Sequence, residues 1–367
     1  MNPRSRARRL SWRSLRACGA LSLVSAVCGV AATFAQSLLW TTYMDQGRRA
    51  FEAERHREAL ELFEAAVREV EVGPEGPQLA EALYEAGRAQ RRLGASEGAE
   101  ARLERALSIA ESELGTGAPL TAAVMIELGA NHRAAGDLDL AEPLLRRGAA
   151  IREATSAPNS AELIEALREI ALLAFDRGDL VQAETVYRRV LAAATQVFPS
   201  DSPRMAETLL PMARIYTAKG EYDRALPLLR RALDAASAQQ RGAVLADLAE
   251  THRRAGQREE AEERWAEAVE HHAALGAASP ESVQTAYRFA EYLRQQDRYD
   301  EAEPYFERAL EEGLGVHGEG ARELAPILED YSALLWRTGR KVRSTKMQAR
   351  AKWIRARRGK ADPEATP

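Results

Sequence analysis

One pattern of residue sizes recurs along this chain and constrains the fold more than any other feature. A small residue is followed four positions later by a large one, and three positions after that by another small or modest one. The first small residue of the pattern is Ala59, Ala99, Ala141, Ala183, Ala225, Ala261, Ala302 and Ser344. Steps of four and three place these positions on one helical face. The sequence therefore predicts eight copies of one unit, 36 to 42 residues apart.

A second helical segment precedes each copy of the pattern. Twelve residues before the first small position lies another small residue: Gly47, Gly87, Gly129, Ala171, Ala213, Ala249, Ala290 and Ser332. Five residues before that position, six copies have a glycine: Gly94, Gly136, Gly178, Gly220, Gly256 and Gly339. Glycine there suits a helix that ends in the left-handed conformation. We therefore expect repeats 1 to 8, each made of a first helix, a short turn and a second helix.

The turns also carry helix-start signals. Asp139 and Asp300 are predicted to cap the second helices that follow them. Pro143, Pro227 and Pro304 are predicted to lie near the first turn of such helices, where a missing N–H costs little. These signals place the start of a second helix directly after each turn.

The composition agrees with a helical array. Alanine, leucine, glutamate and arginine dominate, and these residues favour helix. No stretch after residue 40 has the alternating, β-branched character of a strand. The expected fold class is all-α, a solenoid of about eight repeats that occupies residues 40–355.

The small-large-small spacing resembles the tetratricopeptide repeat. The longer unit of 42 residues, with second helices such as Ala141 to Arg147 (A-E-P-L-L-R-R), resembles the kinesin-light-chain type of that repeat. The loop from Leu114 to Pro119 is similar to that type as well. The resemblance implies a right-handed superhelical solenoid whose first helices line a concave groove and bind extended peptides or partner proteins.

Residues 1–35 have the anatomy of a secretory signal. Six arginines and no acid accompany an apolar run over residues 17–30, and Thr33 and Ala35 form a small-x-small cleavage site. Because residues 17–44 carry no charge, an uncleaved membrane anchor is the alternative. Both interpretations place the body outside the cytoplasm. We expect an exported protein, periplasmic or extracellular, or one held at the membrane by its N-terminal segment.

The formal net charge of −4 is unevenly distributed. Residues 337–360 carry eleven basic residues and no acid, whereas residues 36–336 carry an excess of acids. An acidic body with a basic end argues against a nucleic-acid partner. The C-terminal basic helix is interpreted as a polar solenoid cap, with binding to anionic lipid or an acidic partner as the alternative. Residues 356–367 are predicted to form a basic, flexible tail.

Outward positions on the first helices are rich in arginine. Together with nearby aromatic residues they form the predicted partner-binding groove: Tyr84, Arg88, Arg91, Arg133, Phe175, Arg214, Arg253, Tyr287 and Arg294. Guanidinium groups offer paired donors to carboxylates, so the predicted ligand is an acidic peptide or a partner protein. The alternative is that these arginines pair with acids of the next helix and solubilise the surface. The lysine–asparagine carboxylate clamp of chaperone-binding members of the family is not found at matching positions.

No set of residues indicates catalysis or a cofactor. His271 and His272 are adjacent on a helix, so their side chains diverge, and a surface role is preferred to a metal site. Gly313 to Gly318 (G-L-G-V-H-G) matches a phosphate-binding fingerprint but follows no strand and falls in a predicted inter-repeat loop. Cys18 and Cys28 would leave with a cleaved signal. We expect a non-catalytic scaffold with no cofactor, no metal and no small-molecule substrate. The alternative is a structural subunit of a membrane or envelope assembly, held by the N-terminal anchor or the basic C-terminal helix.

Overall fold

The computed structural model describes residues 38–157, 159–276 and 278–357, which form sixteen helices and no strand. The first helix, α1, occupies residues 38–52 of the described chain. The others are α2 (His56–Glu71), α3 (Pro77–Arg92), α4 (Ser96–Glu113), α5 (Pro119–Ala135), α6 (Leu138–Thr155), α7 (Ala161–Asp176), α8 (Leu180–Val197), α9 (Pro203–Lys219), α10 (Tyr222–Ala235), α11 (Ala238–Arg254), α12 (Arg258–Ala274), α13 (Pro280–Gln295), α14 (Tyr299–His317), α15 (Leu324–Arg337) and α16 (Lys341–Arg357). None of these helices is long and apolar enough to cross a membrane.

Two predicted segments lie wholly or partly outside the residues that the structure describes. The predicted signal or anchor, residues 1–35, lies outside the described residues. Of the predicted tail, residues 356 and 357 belong to α16, and residues 358–367 lie outside the described part. The N-terminal and C-terminal boundaries therefore remain predictions.

Each repeat is an odd-numbered first helix packed on the even-numbered second helix that follows it. The predicted all-α repeat solenoid is confirmed. The chain divides into two compact units, one ending at Thr116 and one beginning at Gly117. The first unit contains α1 to α4. In the second unit, α5 to α16, the second helix of each repeat packs on the first helix of the next.

Packing within a repeat follows the predicted sizes. A Cβ added to Gly47 would lie 2.5 Å from a ring carbon of Phe63, and one added to Gly129 would lie 2.7 Å from Leu145. Only glycine leaves room there for the large residue of the partner helix. The seven aligned alanines, from Ala59 to Ala302, are fully buried. The predicted register of small and large residues is therefore confirmed.

Repeat 8 replaces the small apolar pair by two serines. Ser344 Oγ donates to the carbonyl oxygen of Ser332 at 2.8 Å, and the two hydroxyls lie 3.0 Å apart. Both side chains are buried, so each needs a partner. Because the two serines satisfy each other's hydrogen-bonding groups, α15 and α16 can pack as closely as the helices of the other repeats.

The turn between the two helices is left-handed in every repeat. All six predicted glycines have positive φ, between 78° at Gly220 and 88° at Gly136. In the two repeats without glycine, Glu54 and Asp297 take the same position with φ of 58° and 59°. The turn geometry is therefore retained even where the residue is not favoured.

The predicted starts of the second helices are partly wrong. Asp139 and Asp300 lie in the first turn, and the N-cap residues are Asp137 and Arg298, neither with a side-chain cap bond. The prolines come later than predicted, because Pro143 is the sixth residue of its helix, as are Pro227 and Pro304 of theirs. Each proline removes an N–H from the second turn, where its absence leaves a carbonyl unpaired within the helix.

Aromatic side chains fill the core of the last repeats. The Trp265 ring lies 4.7 Å from that of Tyr292 and 5.8 Å from that of Phe289. Phe306 stacks on Tyr331, with ring centroids 5.6 Å apart. All five belong to one core cluster that runs from α11 to α16, so these repeats share a continuous interior.

Candidate partner-binding face

The outward positions of α5, α7, α9, α11, α13 and α15 define what we name the first-helix face of the second unit. It carries six of the predicted groove residues: Arg133, Phe175, Arg214, Arg253, Tyr287 and Arg294. The other three, Tyr84, Arg88 and Arg91, are half-buried side chains of α3 in the first unit. Their role in binding a partner stays a prediction, and the contacts of each side chain determine which donors and charges it offers.

Arg133 is held by acids of the next first helix. Its Nε donates to Glu169 at 3.1 Å and its Nη1 donates to Asp176 at 2.6 Å. Arg168 donates to Glu169 as well, at 3.1 Å, and to Glu165. Because Glu169 is only 2% exposed, its buried charge is shared by two guanidinium groups. The charge of Arg133 is therefore compensated within the fold.

Arg214 pairs with a buried acid of α11 and remains half-exposed. Its Nε donates to Asp247 Oδ2 at 2.7 Å, and its side chain is 49% exposed. The attraction of Asp247 raises the pKa of Arg214. Its two Nη groups make no hydrogen bond to any described residue, so they remain available to a ligand. Beside this pair, the buried hydroxyls of Thr217 and Thr251 lie 2.8 Å apart and link the same two helices.

Two groups of α13 converge on one acid of α15. The Tyr287 hydroxyl donates to Asp330 Oδ2 at 2.6 Å, and Arg294 Nη2 lies 3.4 Å from Asp330 Oδ1. Burial, together with the hydrogen bond to Asp330, raises the pKa of Tyr287 above its ordinary value. The phenol therefore stays protonated and keeps its role as a donor.

On α11, two arginines share one carboxylate. Arg253 donates to Glu250 through Nε at 2.8 Å and Nη2 at 2.7 Å, and Arg254 donates through Nε at 2.6 Å. Burial alone would raise the pKa of Glu250, but these hydrogen bonds outweigh it and lower that pKa. The Arg253 and Arg254 side chains are 36% and 44% exposed. Together, Arg253, Arg254 and Glu250 carry a net charge of one positive unit.

In the first unit, Arg88 sits between aromatic rings and an acid. Its guanidinium carbon lies 4.5 Å from the Phe51 ring centroid and 5.4 Å from that of Tyr84. Arg88 also donates to Glu85 at 2.7 Å, and Glu85 accepts a second bond from Arg48 at 3.2 Å. Cation–π contact and ion pairing together fix this side chain.

A column of acids on the first helices is missing from the sequence-based prediction. It lies two residues before the small residue of the first helix in six of eight repeats: Asp45, Glu85, Glu127, Glu169, Asp247 and Asp330. In four repeats it pairs with an arginine of the preceding repeat: Arg48 with Glu85, Arg133 with Glu169, Arg214 with Asp247, and Arg294 with Asp330. The repetition of an acid at one register position was the signal available in the sequence.

A second set of ion pairs joins repeats at their turns. An acid one residue after the small residue of the second helix accepts from a basic residue of the next repeat: Glu142 from Arg177, Glu184 from Lys219, Glu262 from Arg298, and Glu303 from Arg340. Repeat 5 has Leu226 at this position. Among the described residues, its junction with repeat 6 is instead held by polar contacts between first helices, those of Glu207, Arg214 and Thr217.

The predicted row of available guanidinium groups is thus shorter than expected. Pairing with acids of the next helix, the alternative interpretation, describes Arg133, Arg214 and Arg294. Phe175 is half-buried against the core cluster of α7 to α10. Arg214 of α9 and Arg253 and Arg254 of α11 combine substantial exposure with unused donors or excess charge while a carboxylate of the fold still orients them. Arg288 of α13 and Arg337 of α15 are exposed as well, but no described acid orients them.

The other motifs fall into packing roles. His271 Nε2 lies 2.6 Å from the Ala238 carbonyl oxygen, whereas His272 is buried. In the part of the chain that the structure describes, no group of three or more His, Cys, Asp or Glu side chains could hold a metal ion. Gly313 lies inside α14, not in a loop as predicted, and a Cβ there would be 2.6 Å from Leu324. Close helix packing explains this glycine.

Stacked helix pairs with left-handed turns and a charged first-helix face define a class of α-helical repeat protein. The family profile of the tetratricopeptide repeat matches residues 41–112, 96–154, 162–238, 240–311 and 281–351. These segments cover most of the chain, which therefore belongs to the tetratricopeptide repeat family. No curated protein matches the sequence.

Several solved structures share the fold at low sequence identity. A Rap protein complexed with Competence and Sporulation Factor is 13% identical, with 87% of this chain and 98% of that chain covered and a TM-score of 0.63. A signal-transduction ATPase with a tetratricopeptide repeat sensor from Pyrococcus horikoshii is 14% identical, with coverage of 89% and 48% and a TM-score of 0.54. Putative kinesin light chain repeats from Podosopora anserina are 24% identical, with coverage of 55% and 99% and a TM-score of 0.45.

Proposed function

We propose that this protein is a non-catalytic scaffold that binds an acidic peptide, or an acidic segment of a partner protein, on its first-helix face. Membership of the tetratricopeptide repeat family supports protein–protein interaction as the general activity. The Rap protein that shares the fold is complexed with Competence and Sporulation Factor. We extend peptide or protein binding to this chain on the basis of its own α9 and α11.

The observation that carries the proposal is the state of the arginines on these two helices. Asp247 holds Arg214 by Nε, and neither Nη group makes a hydrogen bond to a described residue. Glu250 orients Arg253 and Arg254 but neutralises only one of their two charges. Arginines fixed by fold carboxylates lose little side-chain entropy when a ligand carboxylate binds. The patch is therefore preorganised for carboxylate groups.

The test compares two charge-matched variants of the full chain. Arg214→Gln/Arg253→Gln/Arg254→Gln removes the patch and is expected to weaken binding of a partner captured from the native host about 10- to 100-fold. Hydrogen bonds to a charged group contribute roughly 1.5 to 3 kcal/mol each, and the affected contacts overlap. Dissociation constants of the identified partner would be measured by calorimetry for the two variants and the parent chain.

The control removes three positive charges elsewhere. Arg57, Arg230 and Arg231 are exposed on second helices and have no ion pair among the described residues. Arg57→Gln/Arg230→Gln/Arg231→Gln is expected to bind as the parent chain does. Equal affinity of the two triple variants would exclude the patch on α9 and α11 as the binding site.

We further propose that the protein is exported, to the periplasm or the cell exterior, through residues 1–35. The support is the basic segment, the uncharged run and the cleavage site in the sequence. The alternative is an uncleaved N-terminal helix that anchors the body outside the cytoplasm. Mass spectrometry of the N-terminus from the native host separates the two, and recovery of the intact chain from the cytoplasm would contradict both.

A further inference from the structure

The terminal helix α16 differs from every other second helix in charge. Its basic residues are Lys341, Arg343, Lys346, Arg350, Lys352, Arg355 and Arg357, and it has no acid. Each of the other second helices carries at least one acid. Arg343 and Arg355 pair with acids of α14 and α15. The remaining charge of α16 is therefore not required for ion pairing within the described fold.

Four cations of α16, Lys341, Lys346, Arg350 and Lys352, have no acidic partner among the described residues. Lys346 and Lys352 are exposed and Arg350 is half-buried, and no described residue forms an ion pair with any of them. A solenoid cap needs polar groups on its outer surface, but it does not require charges of a single sign. The excess positive charge thus calls for a separate explanation.

The helix has two opposite apolar faces. The inner face, with Ser344, Ala351 and Ile354, is buried. An outer stripe consists of Val342, Ala349, Trp353 and Ala356, all exposed. Val342 is 75% exposed and Trp353 is 48% exposed. Spacings of seven, four and three residues keep the outer stripe on one line. The neighbouring residues Trp353 and Ile354 belong to different faces, since Trp353 is exposed and Ile354 is buried.

Cations border the outer stripe on both sides. At 100° per residue, Lys346 and Arg350 fall along one edge, and Lys341 and Lys352 fall along the other. An apolar stripe with a tryptophan, flanked by lysine and arginine, is the pattern of a helix that lies in the membrane interface. Indole rings favour that region because they are both apolar and polar.

A protein surface fits this face less well than a lipid surface. Another repeat, or a second copy of the chain, would bury Lys346, Arg350 and Lys352 unless it supplied three matching acids, and an unpaired buried charge is costly. Anionic headgroups supply negative charge at every position and leave the cations hydrated. We propose that the outer face of α16 docks on the surface of an anionic lipid bilayer, with Trp353 in the headgroup region.

Vesicle binding of the full chain tests the charge requirement. Lys346→Gln/Arg350→Gln/Lys352→Gln is expected to lower the partition coefficient onto vesicles of phosphatidylcholine and phosphatidylglycerol about 100-fold. Each basic residue near an anionic surface contributes roughly fivefold to binding. The charge-matched variant Arg57→Gln/Arg230→Gln/Arg231→Gln is expected to bind as the parent chain does, and pure phosphatidylcholine to bind weakly.

A local probe separates α16 from residues 1–35, which are also basic and apolar. Brominated phosphatidylglycerol vesicles are expected to quench a part of the tryptophan fluorescence that is absent in Trp353→Phe. Quenching of that part should disappear in the triple α16 variant and at high salt. The proposal is overturned if no quenching depends on Trp353, as would occur were an acidic protein the partner. It is also overturned if brominated phosphatidylcholine quenches equally, or if the triple variant retains the quenching.

Discussion

At the scale of single residues, two side chains occupy a conformation that glycine holds elsewhere. Glu54 and Asp297 have the left-handed φ of the six turn glycines. The Cβ atom makes this conformation unfavourable by roughly 1 to 2 kcal/mol, less for aspartate because its short side chain bonds locally. Repeats 1 and 7 therefore accept strain that the other repeats avoid.

Replacing Glu54 by glycine should relieve that strain. Glu54→Gly is expected to raise the free energy of unfolding by about 1 kcal/mol, with a smaller gain for Asp297→Gly. The measurement is the denaturant midpoint of each variant. Glu54→Ala, which keeps a Cβ, serves as the control and should give no gain. Equal stability of Glu54→Gly and Glu54→Ala would contradict the strain argument.

A buried histidine makes stability depend on pH. His272 lies against Gly242, where an added Cβ would be 2.4 Å from Nε2, and 3.5 Å from the Thr285 hydroxyl. Burial, reinforced by His271 and Arg308, lowers the pKa of His272, and the acids Glu281 and Glu312 only partly oppose this.

A folded-state pKa below the unfolded value means that the unfolded chain binds the proton more tightly. The contribution of His272 is fully present above pH ~6.5 and is lost as pH falls through the folded-state pKa. His272→Gln is expected to flatten the decline of the melting temperature between about pH 7.5 and 5, whereas His317→Gln should leave it unchanged. Identical pH profiles for His272→Gln and the parent chain would refute this assignment.

At the scale of helices, one carboxylate joins α5 to α7. Glu169 accepts bonds from Arg133 and Arg168 and is almost completely buried. Removing a charge from a buried network leaves its partners uncompensated, which costs more than the intact pair contributes.

Glu169→Gln is therefore expected to lower the free energy of unfolding by about 2 kcal/mol, since Asp176 and Glu165 still compensate part of the positive charge. The control is Glu301→Gln, which breaks a pair with Arg298 whose acid is 59% exposed and should leave stability nearly unchanged. Urea denaturation of both variants makes the comparison. Equal, small effects would show that Glu169 is not the link between these helices.

At the scale of the whole molecule, features that are set within one repeat could be predicted from the sequence, whereas contacts between repeats could not. The positions of Ala59 to Ala302 and the turn glycines follow from spacing within one repeat, and the structure confirms them. The ion pairs of Arg133 and Arg214 join residues 33 to 43 positions apart. The acid that each arginine reaches depends on how one repeat is rotated and shifted relative to the next. The residue spacing within a single repeat does not specify that arrangement. The extra length of α14, which takes in Gly313, likewise depends on packing against Leu324 of the next repeat.

Damage to one repeat should spread only to its neighbours. Phe306→Ala removes a completely buried ring that stacks on Tyr331 and is expected to cost about 3 to 5 kcal/mol. Because repeat proteins are stabilised by nearest-neighbour contacts, amide hydrogen exchange should accelerate in α11 to α16 and stay unchanged in α1 to α4. Ala302→Leu tests the same repeat by overpacking, at about 1 to 3 kcal/mol. Faster exchange in both compact units of Phe306→Ala would contradict the prediction that the damage stays local.

The two sets of ion pairs give the second unit uneven mechanical stiffness. Junctions 3–4 and 7–8 have ion pairs both at the turns and between first helices, whereas among the described residues junctions 4–5, 5–6 and 6–7 have one of the two kinds each. The middle of the unit is therefore held less firmly than its two ends. We expect repeats 5 and 6, which carry the exposed arginines of α9 and α11, to be the most compliant part, and their torsional freedom to increase as salt screens the single ion pairs.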